Sequence, residues 1–306
     1  MSTLSGHVDD YLSLRRALGY KLERAGLLLP QLVVHLETAG SSTLTSDLAI
    51  CWAQLPTQAS PNHWAARLAV ARGFARYLQT IDPTTEVPPP GVFPARRHRP
   101  APYLWSQADI CGLLNHARTL SSPLRAATHE ALFGLLAVSG MRVGEAAGLD
   151  RNDVNFQTGV ITIRLAKLDR TRLVPLHETT TAALGVYASE RDRLCPSPRS
   201  AAFFVSSTGT RLDRSGVAKV LRGITTDMGL RDATGGPTAH QLRHSFAVRT
   251  LIDWQKSGVS VDERIGTLST YLGHIAPADT YWYLSASPEL MAMAAERLDS
   301  RFGERK

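Results

Sequence analysis

Apolar residues recur at a helical period through residues 5–80, about every three to four positions. In the first stretch Val8, Tyr11 and Leu12 share one face. The pattern predicts an all-helical first domain over residues 1–82, with helical segments near 8–20, 27–36, 43–55 and 61–78.

The helical period stops at residues 83–102, where prolines and arginines replace the apolar stripe. The run Pro88-Pro89-Pro90-Gly91 fixes backbone angles and removes amide donors, which predicts an extended linker. The same segment carries Arg96, Arg97 and Arg99. Three cations within four residues are suited to contacting a phosphate backbone, so we expect this linker to touch DNA.

Residues 103–306 predict a second domain that is mainly α with a small β-hairpin or sheet, an α+β arrangement. A strongly apolar helix occupies residues 124–139. β-Rich segments at 160–164 and 171–176 then predict a hairpin with a polar, basic tip. We also expect a short strand at 203–205 and further helices, the last beginning at Ser287-Pro288, which could pack either in cis or against a neighbouring protomer.

Charge adds a partner to this picture. The 34 Lys+Arg exceed the 27 Asp+Glu, giving a net charge of +7, which favours a polyanion, nucleic acid before an acidic membrane. Within the 61–78 helix, Arg67, Arg72 and Arg76 are candidates to face one groove of a duplex, the alternative being a solvated helix face.

The cysteines and the hydropathy point to an intracellular protein. Cys51, Cys111 and Cys195 lie far apart without a CxxC pair, as expected of free thiols in a reducing compartment. No window approaches the ~20 apolar residues of a membrane span, so we expect no membrane association and a cytoplasmic location.

The stretch from Thr238 to Leu284 concentrates groups that could hold a phosphodiester and attack it. His240 and Arg243 lie about one helical turn apart, a further histidine follows at His274, and a phenol comes last at Tyr283. His240 and His244 have the spacing of a zinc pair, but Gln241 replaces the glutamate of HExxH and no third ligand is evident. The sequence therefore predicts neither a metal nor any other cofactor.

Five motifs in order resemble the tyrosine recombinase (integrase) family over most of the chain. They are Ser139-Gly140-Met141-Arg142-Val143-Gly144-Glu145, the hairpin lysine Lys167, His240-Gln241-Leu242-Arg243-His244-Ser245-Phe246, Leu272-Gly273-His274, and a tyrosine nine residues later. The phrase Thr280-Tyr281-Trp282-Tyr283 is similar to a transposon-borne branch of the family.

This resemblance assigns roles by position. In the family two arginines clamp the phosphate, the lysine is a general acid, the histidines complete the site and the tyrosine is the nucleophile. The matching positions here are Arg142, Lys167, His240, Arg243, His274 and Tyr283. Glu145 matches a supporting acidic residue, and Tyr281 is the rival nucleophile. His244 is expected to be structural or to support a neighbouring residue of the site.

Two departures from the family pattern accompany the match. Ala166 stands where a glycine often precedes the hairpin lysine, which puts the turn conformation in question. The chain between Arg249 and Leu272 is longer than the common pattern, which suggests an extended helix or loop at the rim of the site. Neither departure removes a candidate catalytic group.

The resemblance implies a site-specific recombinase that cuts and rejoins double-stranded DNA through a covalent 3′-phosphotyrosine, as in integration, transposition or resolution. It needs neither ATP nor metal. It implies a homo-oligomer, a tetramer on DNA, possible accessory recombinases, and association with the nucleoid. The alternatives are a type IB topoisomerase-like enzyme and a DNA-binding protein without catalysis; a metal-dependent nuclease is disfavoured because no Asp/Glu cluster is apparent.

Overall fold

The computed structural model describes residues 3–94, 102–165, 170–232, 235–274, 278–285, 289–292 and 295–296. The chain divides into two compact units, Met1–Arg99 and Pro100–Lys306. The architecture is mainly helical with one small antiparallel sheet, which confirms the predicted fold class.

The first unit packs its described helices around an apolar core that contains Leu32, Trp52 and Phe74, all with no exposed surface. Thr45 begins the third helix by accepting a hydrogen bond from the Leu48 amide at 3.4 Å, the usual role of an N-cap hydroxyl. The helices of this unit are α1 (Thr3–Ala17), α2 (Glu23–Thr38), α3 (Ser46–Gln54) and α4 (Pro61–Leu78).

Residues 83–94 pack against this unit, whereas the sequence predicted the start of a linker. Thr85 and Phe93 are 3% and 8% exposed, and Phe93 belongs to the core of the first unit. The Arg72 guanidinium donates to the carbonyl oxygens of Pro88 and Pro89 at 2.8 and 2.7 Å. Prolines lack an amide donor but keep their carbonyl, and an arginine on α4 satisfies two of those acceptors.

The second unit surrounds an apolar helix, Pro123–Ser139, in which Leu132, Phe133 and Leu136 are fully buried. Three other helices, Gln107–Arg118, Glu178–Leu194 and Ala239–Lys256, pack on it, which explains its near-continuous apolar sequence. The helices of this unit are α5 (Gln107–Arg118), α6 (Pro123–Ser139), α7 (Val143–Gly148), α8 (Glu178–Leu194), α9 (Arg214–Asp227), α10 (Ala239–Lys256), α11 (Val261–Leu272) and α12 (Ala278–Ser285).

The sheet has the order β1-β2-β3 and is antiparallel throughout, with strands β1 (Val154–Asn155), β2 (Val160–Leu165) and β3 (Arg170–Pro175). In the hairpin of β2 and β3, Ile163 is paired with Arg172. The strand predicted at 203–205 is wrong, because Ala202 and Val205 each form only an isolated bridge. The β-rich composition there reflects complete burial of the aromatic side chains, not pairing in a ladder.

The long segment after Arg249 is mostly helix. Helix α10 continues to Lys256, a short turn follows, and α11 begins at Val261. Of the predicted last helix, residues 289–292 are helical, and Leu290 is buried in a cluster with Leu251 and Tyr283. Its predicted start at Ser287-Pro288 and its end lie outside the described residues.

Candidate active site

Arg243 lies at the centre of the site, in the second turn of α10, with only 1% of its surface exposed. Its Nη1 donates to the carbonyl oxygen of Gly140 and its Nη2 to that of Leu272, both at 2.8 Å. Burial, reinforced by repulsion from Arg142, lowers the pKa of Arg243 to about 10. The guanidinium is therefore still charged at neutral pH and is held between two chain turns.

Arg142 is the more accessible of the two predicted phosphate-binding arginines, with 41% of its side chain exposed. It directly precedes α7, where the Glu145 carboxylate accepts its backbone N–H at 2.9 Å and its Nη1 at 2.7 Å. Its Nη2 donates to the carbonyl oxygen of Gly273 at 3.1 Å. The side chain is thus fixed at two points and still open on one side.

Two glycines hold these arginines through their carbonyl groups. Gly140 ends α6 with φ +60° and Gly273 ends α11 with φ +69°, a left-handed conformation that glycine adopts without strain. A Cβ at Gly140 would lie 2.5 Å from the Phe246 ring, and one at Gly273 would overlap the Arg172 guanidinium. The motifs around both glycines are thus explained by turns that present an acceptor to an arginine.

Tyr283 lies on α12, beside this arginine pair, with 2% of its surface exposed. Its ring contacts those of His244 and His274, with centroids 5.3 and 6.0 Å away. Burial raises the pKa of the Tyr283 phenol, while the positive charge of Arg243 opposes that rise. Tyr281, the rival nucleophile, is 47% exposed on another side of the same helix.

His274 follows the Gly273 turn, and its Nδ1 is 2.7 Å from the Thr280 hydroxyl oxygen. Burial, with repulsion from Arg243 and Arg142, lowers the pKa of His274 to about 4. The imidazole is therefore neutral at pH 7. If the Thr280 hydroxyl donates to Nδ1, the ring proton is on Nε2, which can then donate to a phosphate oxygen.

His240 and His244 stand one turn apart on α10, with ring centroids 4.5 Å apart. His244 also contacts Trp282 and Tyr283, at 5.1 and 5.3 Å between centroids. His244 therefore lies between the ring of His240 and the predicted nucleophile. The sequence analysis expects a structural or supporting role for His244, and its i+4 spacing from His240 already indicates that both rings share one helix face.

The structure adds Arg172 to the residues around the site. Its side chain is 9% exposed, and Nη2 donates to the Glu145 carboxylate at 2.8 Å. The signal was the alternation of β3: Val174 is fully buried and Leu173 is 61% exposed, so Arg172 shares the inward face. The hairpin lysine Lys167 lies outside the described residues, between strands β2 and β3.

The arginines of α4 do not share one surface. Arg67 is 6% exposed, lies 4.1 Å over the Trp52 ring and donates to the Trp52 carbonyl, while Arg72 is bound to the proline carbonyls. Arg76 alone of the three is exposed. Nine residues separate Arg67 from Arg76, about two and a half helical turns, so the two point in opposite directions. The burial of Arg67 argues against the predicted DNA contact.

The other predicted DNA-contacting arginines, Arg96, Arg97 and Arg99, lie outside the described residues.

Across the part of the chain that the structure describes, no group of three or more His, Cys, Asp or Glu side chains could hold a metal ion. Each helix in that part is too short or too polar to cross a bilayer.

Comparisons with known proteins place this site in a family. The family model described as "Phage integrase family" matches residues 106–289. The chain is 42% identical to y4rB of Sinorhizobium fredii, named as an integrase/recombinase, over the full length of both chains. It is 32% identical to the tyrosine recombinase XerD of Oceanobacillus iheyensis, over 59% of each chain.

The fold agrees with solved structures. The Tn1549 transposon integrase in complex with transposon right end DNA is similar with a TM-score of 0.64 and 17% identity, over 95% of this chain and 99% of that one. Neither the topoisomerase nor the non-catalytic alternative is favoured by these matches. The chain therefore belongs to the phage integrase family, and it is a tyrosine-type site-specific DNA recombinase.

Proposed function

We propose that Tyr283 is the nucleophile of the recombinase and that Arg142 and Arg243 clamp the scissile phosphate. The observation that carries this proposal is the position of the Tyr283 ring: it is buried beside Arg243, whose charge favours the phenolate, and against His274. Planar guanidinium groups match the non-bridging oxygens, on which negative charge increases as the nucleophile attacks.

In the first step the Tyr283 oxygen forms a bond to phosphorus, and the bond from phosphorus to the 5′-oxygen breaks. The phenolic proton passes to a base, for which His240 is the candidate, by way of the neighbouring His244 ring or water. Lys167 protonates the leaving 5′-oxygen. His274, neutral and held by Thr280, donates a hydrogen bond to a non-bridging oxygen.

The product of this step is a 3′-phosphotyrosyl bond with a free 5′-hydroxyl. Attack by a 5′-hydroxyl from another strand reverses the chemistry and releases Tyr283. Because the phosphodiester energy is kept in the tyrosyl bond, rejoining needs neither ATP nor a metal ion. Exchange between two duplexes involves four strands, so we propose a homotetramer on DNA, with accessory recombinases as possible partners, acting at the nucleoid.

The domain arrangement is part of the proposal. Residues 1–82 would form a DNA-binding domain, residues 83–102 a basic linker and residues 103–306 the catalytic domain. The packing of residues 83–94 on the first unit supports assigning them to the first domain, so that the proposed linker would be shorter than residues 83–102. The cations available for DNA in this region are then Arg76 and the arginines at 96, 97 and 99.

A covalent-complex assay tests the nucleophile. Binding sites are first selected from random duplexes with the Tyr283→Phe protein, and nicked suicide versions of them are then incubated with each variant in EDTA. We expect wild type and Tyr281→Phe to form a complex that survives a denaturing gel, and Tyr283→Phe to form none. A complex that persists in Tyr283→Phe would overturn the assignment.

A further inference from the structure

Arg172 is a nearly buried arginine that the proposed chemistry does not use. It lies on β3 opposite Ile163, and its side chain is 9% exposed. A buried guanidinium is costly unless it is paired, and the partner here is the equally buried carboxylate of Glu145, at 2.8 Å from Nη2.

Glu145 joins Arg172 to Arg142. Oε2 accepts from Arg172 Nη2 and from the Arg142 backbone N–H, and Oε1 accepts from Arg142 Nη1. Burial alone would raise the pKa of Glu145, but the Arg142 backbone N–H, the Arg172 charge and the Arg142 side chain together lower it. The carboxylate stays ionised between two guanidinium groups.

Arg172 also lies against the second acceptor of Arg142. The position of a Cβ at Gly273 would overlap Arg172 Nη1, so the guanidinium packs directly against this turn. The Gly273 carbonyl accepts from Arg142 Nη2. Both groups that fix the Arg142 side chain, the Glu145 carboxylate and the Gly273 turn, are therefore in contact with Arg172.

We propose that Arg172 is a positioning residue of the recombinase, which fixes Glu145 and the Gly273 turn and through them holds Arg142 in place for the scissile phosphate. The inference rests on the proposed function of Arg142. A direct contact between Arg172 and the phosphate is the other reading. It is disfavoured because the Nε and Nη1 atoms of Arg172, though without an acceptor among the described residues, are inaccessible to solvent.

A double-mutant cycle on the full chain separates a positioning role from general stabilisation. The rate of covalent-complex formation is measured at saturating protein on the selected nicked duplex, for wild type, Arg172→Met, Glu145→Gln and the double variant. We expect Arg172→Met to slow the reaction by about 100-fold, the scale of a misplaced catalytic group, with DNA affinity little changed. In the Glu145→Gln background the same change should slow it less than about 3-fold, because the relay is already broken.

Two further variants complete the test. Arg172→Lys keeps the charge but loses the planar fork, so its rate should lie between those of Arg172→Met and wild type. If Arg172→Met does not fold, the cycle is repeated with Arg172→Lys and Glu145→Gln. Arg164→Met is the matched control, since it removes an arginine from the neighbouring strand whose side chain is 65% exposed and paired with Asp153. It should react at the wild-type rate.

The outcomes are distinct. A wild-type protein that forms no covalent complex would overturn the proposed function and this inference together. If wild type forms the covalent complex and Arg172→Met forms it equally fast, that result would overturn the inference alone. Losses that multiply in the double variant would do the same, because they would mean that Arg172 acts independently of Glu145.

Discussion

Two of the five N–H donors of Arg243 bond to the protein's own backbone, at the carbonyl oxygens of Gly140 and Leu272. Those two bonds orient the guanidinium plane before any DNA arrives. Preorganised donors stabilise a transition state without a reorganisation cost at the moment of reaction, which is why they contribute strongly to rate. In its proposed role of clamping the phosphate, Arg243 therefore acts through the shape of its guanidinium group as well as through its charge.

Arg243→Lys should separate shape from charge. A lysine cannot bridge both carbonyls and also face the phosphate, so we expect covalent-complex formation to slow by about 10²–10³-fold, with DNA affinity within a few-fold of wild type. Single-turnover cleavage and fluorescence anisotropy measure the two effects. Arg249→Lys, on the same helix and bound to the Trp105 carbonyl at 3.1 Å, is the control. An equal loss in the control would contradict this explanation.

His274 gives a pH-dependent stability. Its pKa is about 4 in the folded chain and near 6.5 when unfolded, so between these values the unfolded chain binds a proton that the folded chain excludes. The free energy of unfolding should therefore fall as the pH drops from about 6.5 to 4. Urea unfolding at pH 7 and pH 5 should show a larger loss for wild type than for His274→Gln. Equal losses would mean that His274 does not titrate in this way.

At the scale of elements, the site is assembled where helices end. α6 ends at Gly140, α11 ends at Gly273, and both turns expose carbonyls that would otherwise remain unpaired. Arginines from other segments satisfy them. The helix termini and the two arginines proposed to bind the phosphate are thus parts of one hydrogen-bonded arrangement.

Gly273→Ala should lower the free energy of unfolding by more than the left-handed backbone conformation alone requires. Gly258 has nearly the same left-handed backbone, φ +73° against +69°, but open space where a Cβ would be. We expect Gly258→Ala to lower the free energy of unfolding by about 1–2 kcal/mol. Gly273→Ala should cost more and also reduce cleavage, because the methyl group displaces Arg172. Similar stability and activity for both variants would contradict this account, and chemical unfolding with the cleavage assay decides it.

Element patterns also mark where sequence reasoning succeeds and fails. The helical period predicts α4 correctly. The candidate placement of its three arginines along one groove fails for Arg67 and Arg76, because nine residues turn a helix by about two and a half rotations. In β3 the apolar Leu173 faces out while the charged Arg172 faces in, because the partner of Arg172, Glu145, lies 27 residues earlier in the chain. The hydrophobic period of an element can be read from its own sequence, whereas the partner of a buried charge cannot.

At the scale of the whole molecule, each unit has its own core, and the first is closed by residues 83–94. Length and the proline-rich segment predict two domains. They do not predict that residues 83–94 pack on the first unit, because proline content indicates extended backbone but not whether that backbone packs. Phe93 and Arg72 decide that question through contacts distant in sequence.

A fragment of residues 1–94 should unfold cooperatively on its own. A fragment ending at residue 82 should be less stable by about 2 kcal/mol, since it loses the buried Phe93 ring and the acceptors of Arg72. Urea titrations followed by circular dichroism compare the two. The same stability for both fragments would mean that residues 83–94 only rest on the surface.

The contact between Arg243 and Gly140 spans 103 residues, and that between Arg142 and Gly273 spans 131. A nascent chain that has been synthesised to the end of α10 already contains most of the residues of the large apolar core around α6. In such a chain Arg243 still lacks its Leu272 acceptor and Arg142 its Gly273 acceptor, and Tyr283 comes later still. The order of synthesis therefore bears on the proposed site: a chain that ends before α12 contains most of the core residues around α6 but lacks Tyr283, the proposed nucleophile, and would form no covalent bond to DNA.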